Sequence, residues 1–213
     1  MAVPLATHTG TTAAEPTGTA ATDRDPSRAA ETKVLGAVQR RLCGPAVIGT
    51  ARAMSLFGEH AAGWLAIGLL GAAVDRRRRR DWLYAAGGVA AAHGASIAVK
   101  RVVRRPRPDD PSVQVLVGTP SRLSFPSSHA SSTTAAAVLF GALLGPKAKR
   151  GLAPAVVPPM LLSRLVLGVH FPSDVLVGSA LGATVAALTP RLARRRAPVS
   201  TGTSAATQET GHR

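Results

Sequence analysis

The second of five apolar segments in the chain reads WLYAAGGVAAAHGASIAV from Trp82 to Val99, and a run of arginines precedes it. It contains no Asp, Glu, Lys or Arg, and it is close in length to the roughly 20 residues that cross a bilayer as a helix. Its small residues allow helices to pack closely in a membrane. The other four apolar segments lie at residues 61–74, 130–144, 152–169 and 175–188. We therefore predict an all-α fold, a polytopic membrane bundle of about five transmembrane helices, with a soluble alanine-rich bundle as the alternative.

The chain is strongly basic, with a formal net charge of +15 over 213 residues and a pI near 11.8. Such a balance indicates nucleic acid or an anionic membrane as partner. Here the lysines and arginines stand in short clusters between apolar segments. Aromatic residues, on which the bases of nucleic acids stack, make up only 3% of the chain. We therefore expect membrane lipids, and no nucleic acid, as partners.

The basic clusters also predict an orientation, because cytoplasmic loops carry an excess of Lys and Arg. A basic cluster follows each of the first, third and fifth apolar segments. The three clusters therefore fall on the same face of the membrane: Arg76–Arg80, Lys147–Arg150 and Arg191–Arg196. We predict a multi-pass protein of the cell membrane with this face in the cytoplasm. The connections 100–129 and 170–174 then lie on the extracytoplasmic face, although the basic residues between Lys100 and Arg107 oppose that assignment.

The two ends of the chain differ in composition from its middle. Residues 1–30 and 198–213 have no apolar period and are predicted to be disordered tails around a folded domain at 31–197. That domain opens with a candidate helix at Thr32–Leu42, which either lies on the membrane surface or is simply solvated. The N-terminus lacks a basic region followed by an apolar one, so we expect no cleavable signal peptide. The one cysteine, Cys43, excludes an internal disulfide and a cysteine zinc site.

Residues suited to binding and transferring phosphate stand at the ends of apolar segments on the predicted extracytoplasmic side. Helices packed side by side bring such ends together, so we expect one site. Phosphoryl transfer is catalysed mainly by positioning and charge stabilisation, and the planar fork of Arg fits phosphate oxygens. The candidates are Lys100, Arg107, Ser127, Ser128, His129, Arg164, His170 and Asp174.

The residue types in this set suggest separate roles. Two histidines allow one nucleophile and one general acid. Asp174 follows His170 by four residues and could hold its imidazole, although Pro172 between them makes a turn an alternative to a helical relation. Ser127 and Ser128 precede the third segment, where backbone N–H groups and the helix dipole favour an anion.

Three motifs at these positions resemble those of the phosphatidic acid phosphatase type 2 (PAP2) superfamily, which also contains the vanadium haloperoxidases. The family's motifs are Lys, six residues, Arg-Pro; then Pro-Ser-Gly-His; then Ser-Arg, five residues, His, three residues, Asp. Here they read Lys100 to Arg107-Pro108, Pro126 to His129, and Ser163-Arg164 through His170 to Asp174. Ser128 replaces the usual glycine, which would strain the backbone only if that position had a positive φ.

The resemblance implies a role for each matched residue. His170 would attack phosphorus and become phosphorylated, Asp174 would orient it, and His129 would protonate the leaving oxygen and later activate water. The phosphate oxygens would be bound by Lys100, Arg107, Ser127, Ser128 and Arg164. The resemblance implies no metal and no other cofactor.

We therefore predict an integral-membrane phosphatase acting on a lipid or polyprenyl phosphate or diphosphate through a phospho-histidine. It would be a phosphoric monoester hydrolase, or an acid-anhydride hydrolase if the substrate is a diphosphate. Candidate substrates are undecaprenyl diphosphate, phosphatidic acid, phosphatidylglycerol phosphate and decaprenylphosphoryl-5-phosphoribose. The last, from cell-wall arabinan synthesis, is suggested by a likeness to small actinobacterial members of the family. A vanadate-dependent haloperoxidase and a non-enzymatic basic membrane protein are the alternatives, and the oligomeric state is left open.

Some polar residues near the motifs have no assigned role. For His60 and His93 packing is the simpler interpretation, and contact with a substrate headgroup is the alternative. Arg101, Arg104 and Arg105 are interpreted as attracting anionic headgroups.

Overall fold

The computed structural model describes residues 26–195, with side chains described as far as Thr189. Within this range the chain forms seven α-helices and two short 3-10 turns, at Glu59–Ala61 and Arg76–Arg78. The helices are α1 (Pro26–Leu42), α2 (Pro45–Gly58), α3 (Ala62–Val74), α4 (Arg79–Val103), α5 (Ser128–Leu144), α6 (Pro146–Val166) and α7 (Pro172–Arg195). The predicted tails outside 26–195, and the side chains of the basic cluster that begins at Arg191, lie outside the described residues.

Each of the five predicted apolar segments forms a helix, α3 to α7, so the all-α prediction is confirmed. Three stretches of the described chain are long and apolar enough to cross a membrane: Pro45–Val74, Arg76–Val103 and Pro172–Thr189. Leu70, Val74 and Leu176, which belong to two of these stretches, expose more than half of their surface outward. A soluble helical protein would hide such residues in its core, so these faces suit a lipid environment.

Helix α5 forms the centre of the bundle, packed against α4, α6 and α7. Residues 130–137 of this helix are all Ala, Ser or Thr, and their side chains are buried. Small residues let the neighbouring backbones come close. One instance is Gly178 of α7, where a Cβ atom would lie 2.5 Å from the carbonyl oxygen of Ser127. This close packing holds the beginning of α5 against the beginning of α7.

Helices α2 and α3 form one membrane-spanning stretch with a break in the middle. At the break His60 has φ 50° and Ala61 has φ 59°, a left-handed conformation that costs a non-glycine residue roughly 1–3 kcal/mol. Irregular backbone at membrane depth is tolerated only where it is buried in protein or lines a cavity. Only the α3 part was predicted, because α2 carries Thr50, Arg52 and Ser55 within its apolar sequence.

Helix α1 begins at Pro26, upstream of the predicted start at Thr32, and its inner face is buried against protein. Leu35 is fully buried. The side-chain amide of Gln39 donates to the carbonyl oxygens of Gln114 (2.7 Å) and Val166 (3.0 Å) and accepts from the N–H of Gln114 (2.9 Å). Thus α1 is attached to the same end of the bundle as the motif residues.

Candidate active site

The ends of α4, α5, α6 and α7 that carry the motifs meet at one end of the bundle. The connection from α4 to α5 folds back on itself, with the N–H of Arg107 donating to the carbonyl of Arg122 (3.2 Å) and the N–H of Ser124 to that of Arg105 (2.8 Å). The N–H of Ser127 donates to the carbonyl of Asp174 (2.9 Å), which ties the start of α5 to the start of α7. All eight predicted site residues are brought together by this arrangement.

His170 is buried in the turn between α6 and α7. Its Nδ1 lies 3.5 Å from Oδ2 of Asp174, and its Nε2 lies 3.3 Å from Nη1 of Arg107. Because α7 begins at Pro172, His170 precedes the helix, and the pairing with Asp174 is made through a turn in which the N–H of Asp174 donates to Phe171 (3.0 Å). Burial and nearby positive charges, Arg107 first among them, hold the pKa of His170 well below its usual value. The imidazole is therefore neutral at neutral pH, the state that a nucleophile requires.

The carboxylate of Asp174 is fully buried and has a partner for each oxygen. Oδ2 accepts from the N–H of Phe171 (2.8 Å), and Oδ1 accepts from Nη1 of Arg105 (2.9 Å). A buried carboxylate held by a guanidinium is fixed in position. It can therefore orient the imidazole of His170 and stabilise positive charge on it.

Arg105 is part of this site, so its interpretation as a headgroup-attracting residue is wrong. Its Nη1 also donates to Oγ of Ser173 (2.6 Å), and its guanidinium lies 4.3 Å from the ring centre of Phe171. Its Nη2 donates to Glu31 of α1, whose other oxygen accepts from the N–H of Ser173 (2.8 Å). Burial raises the pKa of Glu31, but the hydrogen bonds from Ser173 and Arg105 outweigh it, and the pKa is below its usual value.

Arg164 is the most deeply buried of the basic residues among the predicted phosphate ligands, with 2% of its surface exposed. Its Nη1 donates to Oγ of Ser55 (3.1 Å). Its Nε and Nη2 are buried and have no hydrogen-bond partner among the residues that the structure describes. Unpaired donors on a buried cation are costly. This pattern fits a site that an anion completes.

Lys100 and Arg107 are engaged with backbone carbonyls around the site. The ammonium of Lys100 donates to Pro126 (2.6 Å), Ser124 (3.0 Å) and Leu123 (3.4 Å), so it holds the connection before α5 in place. Nε of Arg107 donates to the carbonyl of Ser121 (2.8 Å) and Nη1 to that of Val169 (2.5 Å). Burial lowers the pKa of Arg107 to about 10, so it stays charged at neutral pH.

His129 lies in the first turn of α5 and is held by α2. Its Nε2 lies 2.9 Å from the carbonyl oxygen of Ser55, which can only accept, so Nε2 carries a proton. In an unbroken helix that carbonyl would bond to the N–H of Glu59, but at the break this N–H bonds to Leu56 instead. Gly58 allows the close approach, because a Cβ there would lie 2.6 Å from Cδ2 of His129.

The two serines begin α5 as predicted. Ser127 is the N-cap, and its Oγ accepts from the N–H of Ala130 (3.4 Å). Oγ of Ser128 lies 2.7 Å from that of Ser96. The non-glycine residues with positive φ in the described chain are His60, Ala61 and Arg104, so serine causes no backbone strain at position 128.

The motif residues border a cavity of about 440 Å³. Six of the eight predicted site residues line this cavity: Lys100, Arg107, Ser128, His129, Arg164 and His170. Ser127 and Asp174 do not line it. Its remaining surface comes from α2, from the break after it, from α4 and from residues 117–123. No group of three or more His, Cys, Asp or Glu side chains able to hold a metal occurs within the described range.

Four residues that contact the site were not identified from the sequence: Glu31, Ser55, Gly58 and Arg105. Arg105 stands in a basic run whose members look alike in sequence, and Glu31 borders a predicted tail. The glycine before Glu59-His60 was the one available signal of an interrupted helix, because Gly is frequent where helices end. The contacts themselves depend on how α1 and α2 pack against the motif helices.

A membrane helical bundle that gathers Lys, Arg, Ser, two His and Asp around one cavity is the architecture of a membrane phosphatase. The profile of the PAP2 superfamily matches residues 81–198, a range that contains all three motifs. The chain belongs to the PAP2 superfamily and is a membrane phosphatase of that family.

Two curated relatives are similar over most of the chain. The decaprenylphosphoryl-5-phosphoribose phosphatase of Mycobacterium tuberculosis (strain ATCC 25618 / H37Rv) is 55% identical over 159 residues, 74% of this chain and 88% of the relative. The enzyme of the same name from Mycolicibacterium smegmatis (strain ATCC 700084 / mc(2)155) is 56% identical over 149 residues, 70% of this chain and 81% of the relative.

Two solved structures share the fold. The transmembrane PAP2 type phosphatidylglycerolphosphate phosphatase from Bacillus subtilis aligns with a TM-score of 0.68 at 22% identity, covering 80% of this chain and 87% of its own. Aquifex aeolicus LpxE aligns with a TM-score of 0.62 at 18% identity, covering 75% and 93%. At these identities the likeness concerns the fold alone.

Proposed function

We propose that this membrane phosphatase removes the terminal phosphate of decaprenylphosphoryl-5-phosphoribose, or of a closely similar polyprenyl-linked sugar phosphate. The support is the 55% identity to the M. tuberculosis phosphatase of that name, extending over 88% of that protein. Phosphatidic acid, phosphatidylglycerol phosphate and undecaprenyl diphosphate are the competing substrates.

The chemistry that we propose has two steps and uses His170 as nucleophile. Nε2 of His170 attacks phosphorus, the bond from phosphorus to the ester oxygen breaks, and His129 gives a proton to the leaving oxygen. Water then attacks the phosphohistidine, the P–N bond breaks, and His129 takes the proton from the water. Inorganic phosphate leaves, and both imidazoles return to their starting states.

The observation that carries this mechanism is the orientation of the His170 ring. Nδ1 faces Asp174, and Nε2 is directed to the guanidinium of Arg107. A proton on Nδ1, which lies 3.5 Å from the carboxylate, leaves the lone pair of Nε2 for attack. The free N–H groups of Arg164 and the charge of Arg107 would stabilise the phosphoryl oxygens, and Lys100 would add charge from behind the Ser124–Pro126 backbone.

Phosphate release by the detergent-purified protein tests this proposal. The assay runs with EDTA and without added metal, on decaprenylphosphoryl-5-phosphoribose and the three competing substrates, beside His170→Ala. We expect the sugar phosphate to have the highest kcat/KM, the His170→Ala variant to be inactive, and vanadate, which mimics pentacoordinate, trigonal-bipyramidal phosphorus, to inhibit. Preference for another substrate would refute the assigned substrate, and full activity of His170→Ala would refute the mechanism.

We propose further that the chain crosses the membrane several times with the active site outside the cytoplasm. Arg78 of the first basic cluster donates to the carbonyl of Leu143 (2.6 Å) at the end of α5 opposite to the site, which agrees with the positive-inside pattern. In a Cys43→Ser background, an impermeant maleimide added to spheroplasts should label Asp109→Cys and spare Lys147→Cys. Labelling of Lys147→Cys but not of Asp109→Cys would show that the active site faces the cytoplasm.

A further inference from the structure

The cavity extends well beyond the group that is transferred. Lys100 and His93 line it from the same helix, and their separation of seven positions places His93 two turns away, about 10 Å along α4. Glu59 and His60, at the break between α2 and α3, line the same part of the cavity. None of these three residues belongs to a motif. We call Glu59, His60 and His93 the distal cluster.

The backbone at the distal cluster indicates a binding role. His60 and Ala61 both adopt left-handed φ values although neither is glycine, and they do so within a membrane-spanning stretch. Strain of this kind concentrates at ligand sites, and irregular backbone at membrane depth belongs beside a cavity. The imidazole rings of His60 and His93 lie 6.3 Å apart, centre to centre, across this part of the cavity.

The side chains of the distal cluster retain capacity for hydrogen bonds. Nδ1 of His93 is buried and has no partner among the described residues. The nearest contact between the side chains of His60 and Glu59 is 4.0 Å, longer than a hydrogen bond, and about half of the Glu59 side chain is exposed. A polar, ionisable group at membrane depth without a structural partner points to a substrate path.

We propose that the distal cluster is the subsite for the sugar hydroxyls of the substrate, an inference that rests on the proposed function. A carboxylate accepts hydrogen bonds, and a neutral imidazole both donates and accepts one. The vicinal hydroxyls of a pentose supply matching donors and acceptors, whereas an isoprenoid chain supplies none. In the substrate the sugar is bonded to the phosphate that is transferred, and the distal cluster lies in the same cavity as the motif residues, with His93 about 10 Å from Lys100 along α4.

The test compares kcat/KM for decaprenylphosphoryl-5-phosphoribose with kcat/KM for decaprenyl phosphate, which lacks the sugar. Loss of one hydrogen bond to a hydroxyl should lower this ratio by roughly 10- to 100-fold, because it leaves a buried polar group unpaired. We expect that fall in Glu59→Leu and His93→Leu, with smaller falls in Glu59→Gln and His93→Gln, because Gln retains a donor and an acceptor. Gly94→Ala is the matched control, since a Cβ there meets no atom within 4 Å.

A second measurement separates the subsite from the substrate assignment. Soluble ribose 5-phosphate should inhibit decaprenyl phosphate hydrolysis more strongly than inorganic phosphate does, and Glu59→Leu and His93→Leu should each remove that advantage. An unchanged ratio in both variants, or equal losses on both substrates, would overturn the subsite. If the wild-type enzyme does not hydrolyse decaprenylphosphoryl-5-phosphoribose but does hydrolyse phosphatidic acid, the proposed function is overturned instead.

Discussion

Replacing Gly58 with alanine tests whether α2 positions His129, the proposed general acid. The new Cβ would lie 2.6 Å from Cδ2 of His129 and 3.3 Å from Cε of Met160. Carbon atoms in contact ordinarily stand about 3.5–4.0 Å apart, so the imidazole must move by about 1 Å, while the flexible end of Met160 can give way. The displacement also strains the hydrogen bond from His129 to the carbonyl of Ser55.

The size of the effect follows from that displacement. A misplacement of about 1 Å in a catalytic group costs roughly 100-fold in rate, equivalent to about 2.7 kcal/mol in the activation barrier. The backbone of Gly58 is right-handed, at φ −84° and ψ −5°, so alanine is compatible with it. The loss should therefore appear in kcat, with the protein still folded.

The assay is steady-state hydrolysis by purified Gly58→Ala, with thermal unfolding measured in parallel. Gly87→Ala is the control, because Gly87 lies on the exposed face of α4 and a Cβ there meets nothing within 4 Å. We expect kcat near the wild-type value in the control and about 100-fold lower in Gly58→Ala, with a smaller change in KM. A folded Gly58→Ala enzyme within twofold of wild-type kcat would refute the positioning of His129 by α2.

Three further predictions concern the group of charges around His170. Arg105→Lys should lower kcat by about 10-fold or more, because a single ammonium cannot bond Glu31, Ser173 and Asp174 at once. Glu31→Gln should lower kcat less. Steady-state kinetics measure both variants, and equal losses of kcat would contradict this geometry. The kcat/KM of the wild-type enzyme should begin to fall on the acid side only well below pH 6.5, because His170 becomes protonated only when the pH falls through its depressed pKa. Arg107→Gln removes a positive charge, raises that pKa and should move the limb to higher pH, which a pH profile measures. Asp174→Asn should lower kcat on the order of 10²–10⁴-fold in protein that is still folded at the assay temperature, and a wild-type rate would exclude an orienting role.

The bundle and the motif positions could be predicted because local sequence determines them. Apolar segments such as Trp82–Val99 must be helical in a bilayer, since no water is present to bond an open backbone. The motifs stand at segment ends, so the side-by-side packing of the segments was sufficient to predict that His129 and His170 lie at one site. The turn that joins His170 to Asp174 was predicted as an alternative, because Pro172 favours the first position of a helix.

The contacts that orient the catalytic side chains depend on tertiary packing and could not be read in the same way. The break after Gly58 lies in the sequence Phe57 to Ala61, which contains no proline, and its left-handed residues are His and Ala, neither of which favours that conformation. Arg105 is one of several arginines in a short run, and only the placement of α1 beside α7 distinguishes it from its neighbours.

The location of these contacts suggests how substrate preference can vary within one chemistry. The match to the PAP2 superfamily begins at residue 81 and includes each motif residue, so the phosphoryl-transfer groups belong to that common part. Glu31, Ser55, Gly58 and His60 all precede it: Glu31 binds Arg105, Ser55 and Gly58 contact His129, and His60 lines the cavity. A change in α2 or in its break would therefore alter which phosphate ester fits while leaving the nucleophile, acid and phosphate ligands unchanged. On this reasoning, relatives with the same three motifs but different upstream helices should cleave different lipid phosphates.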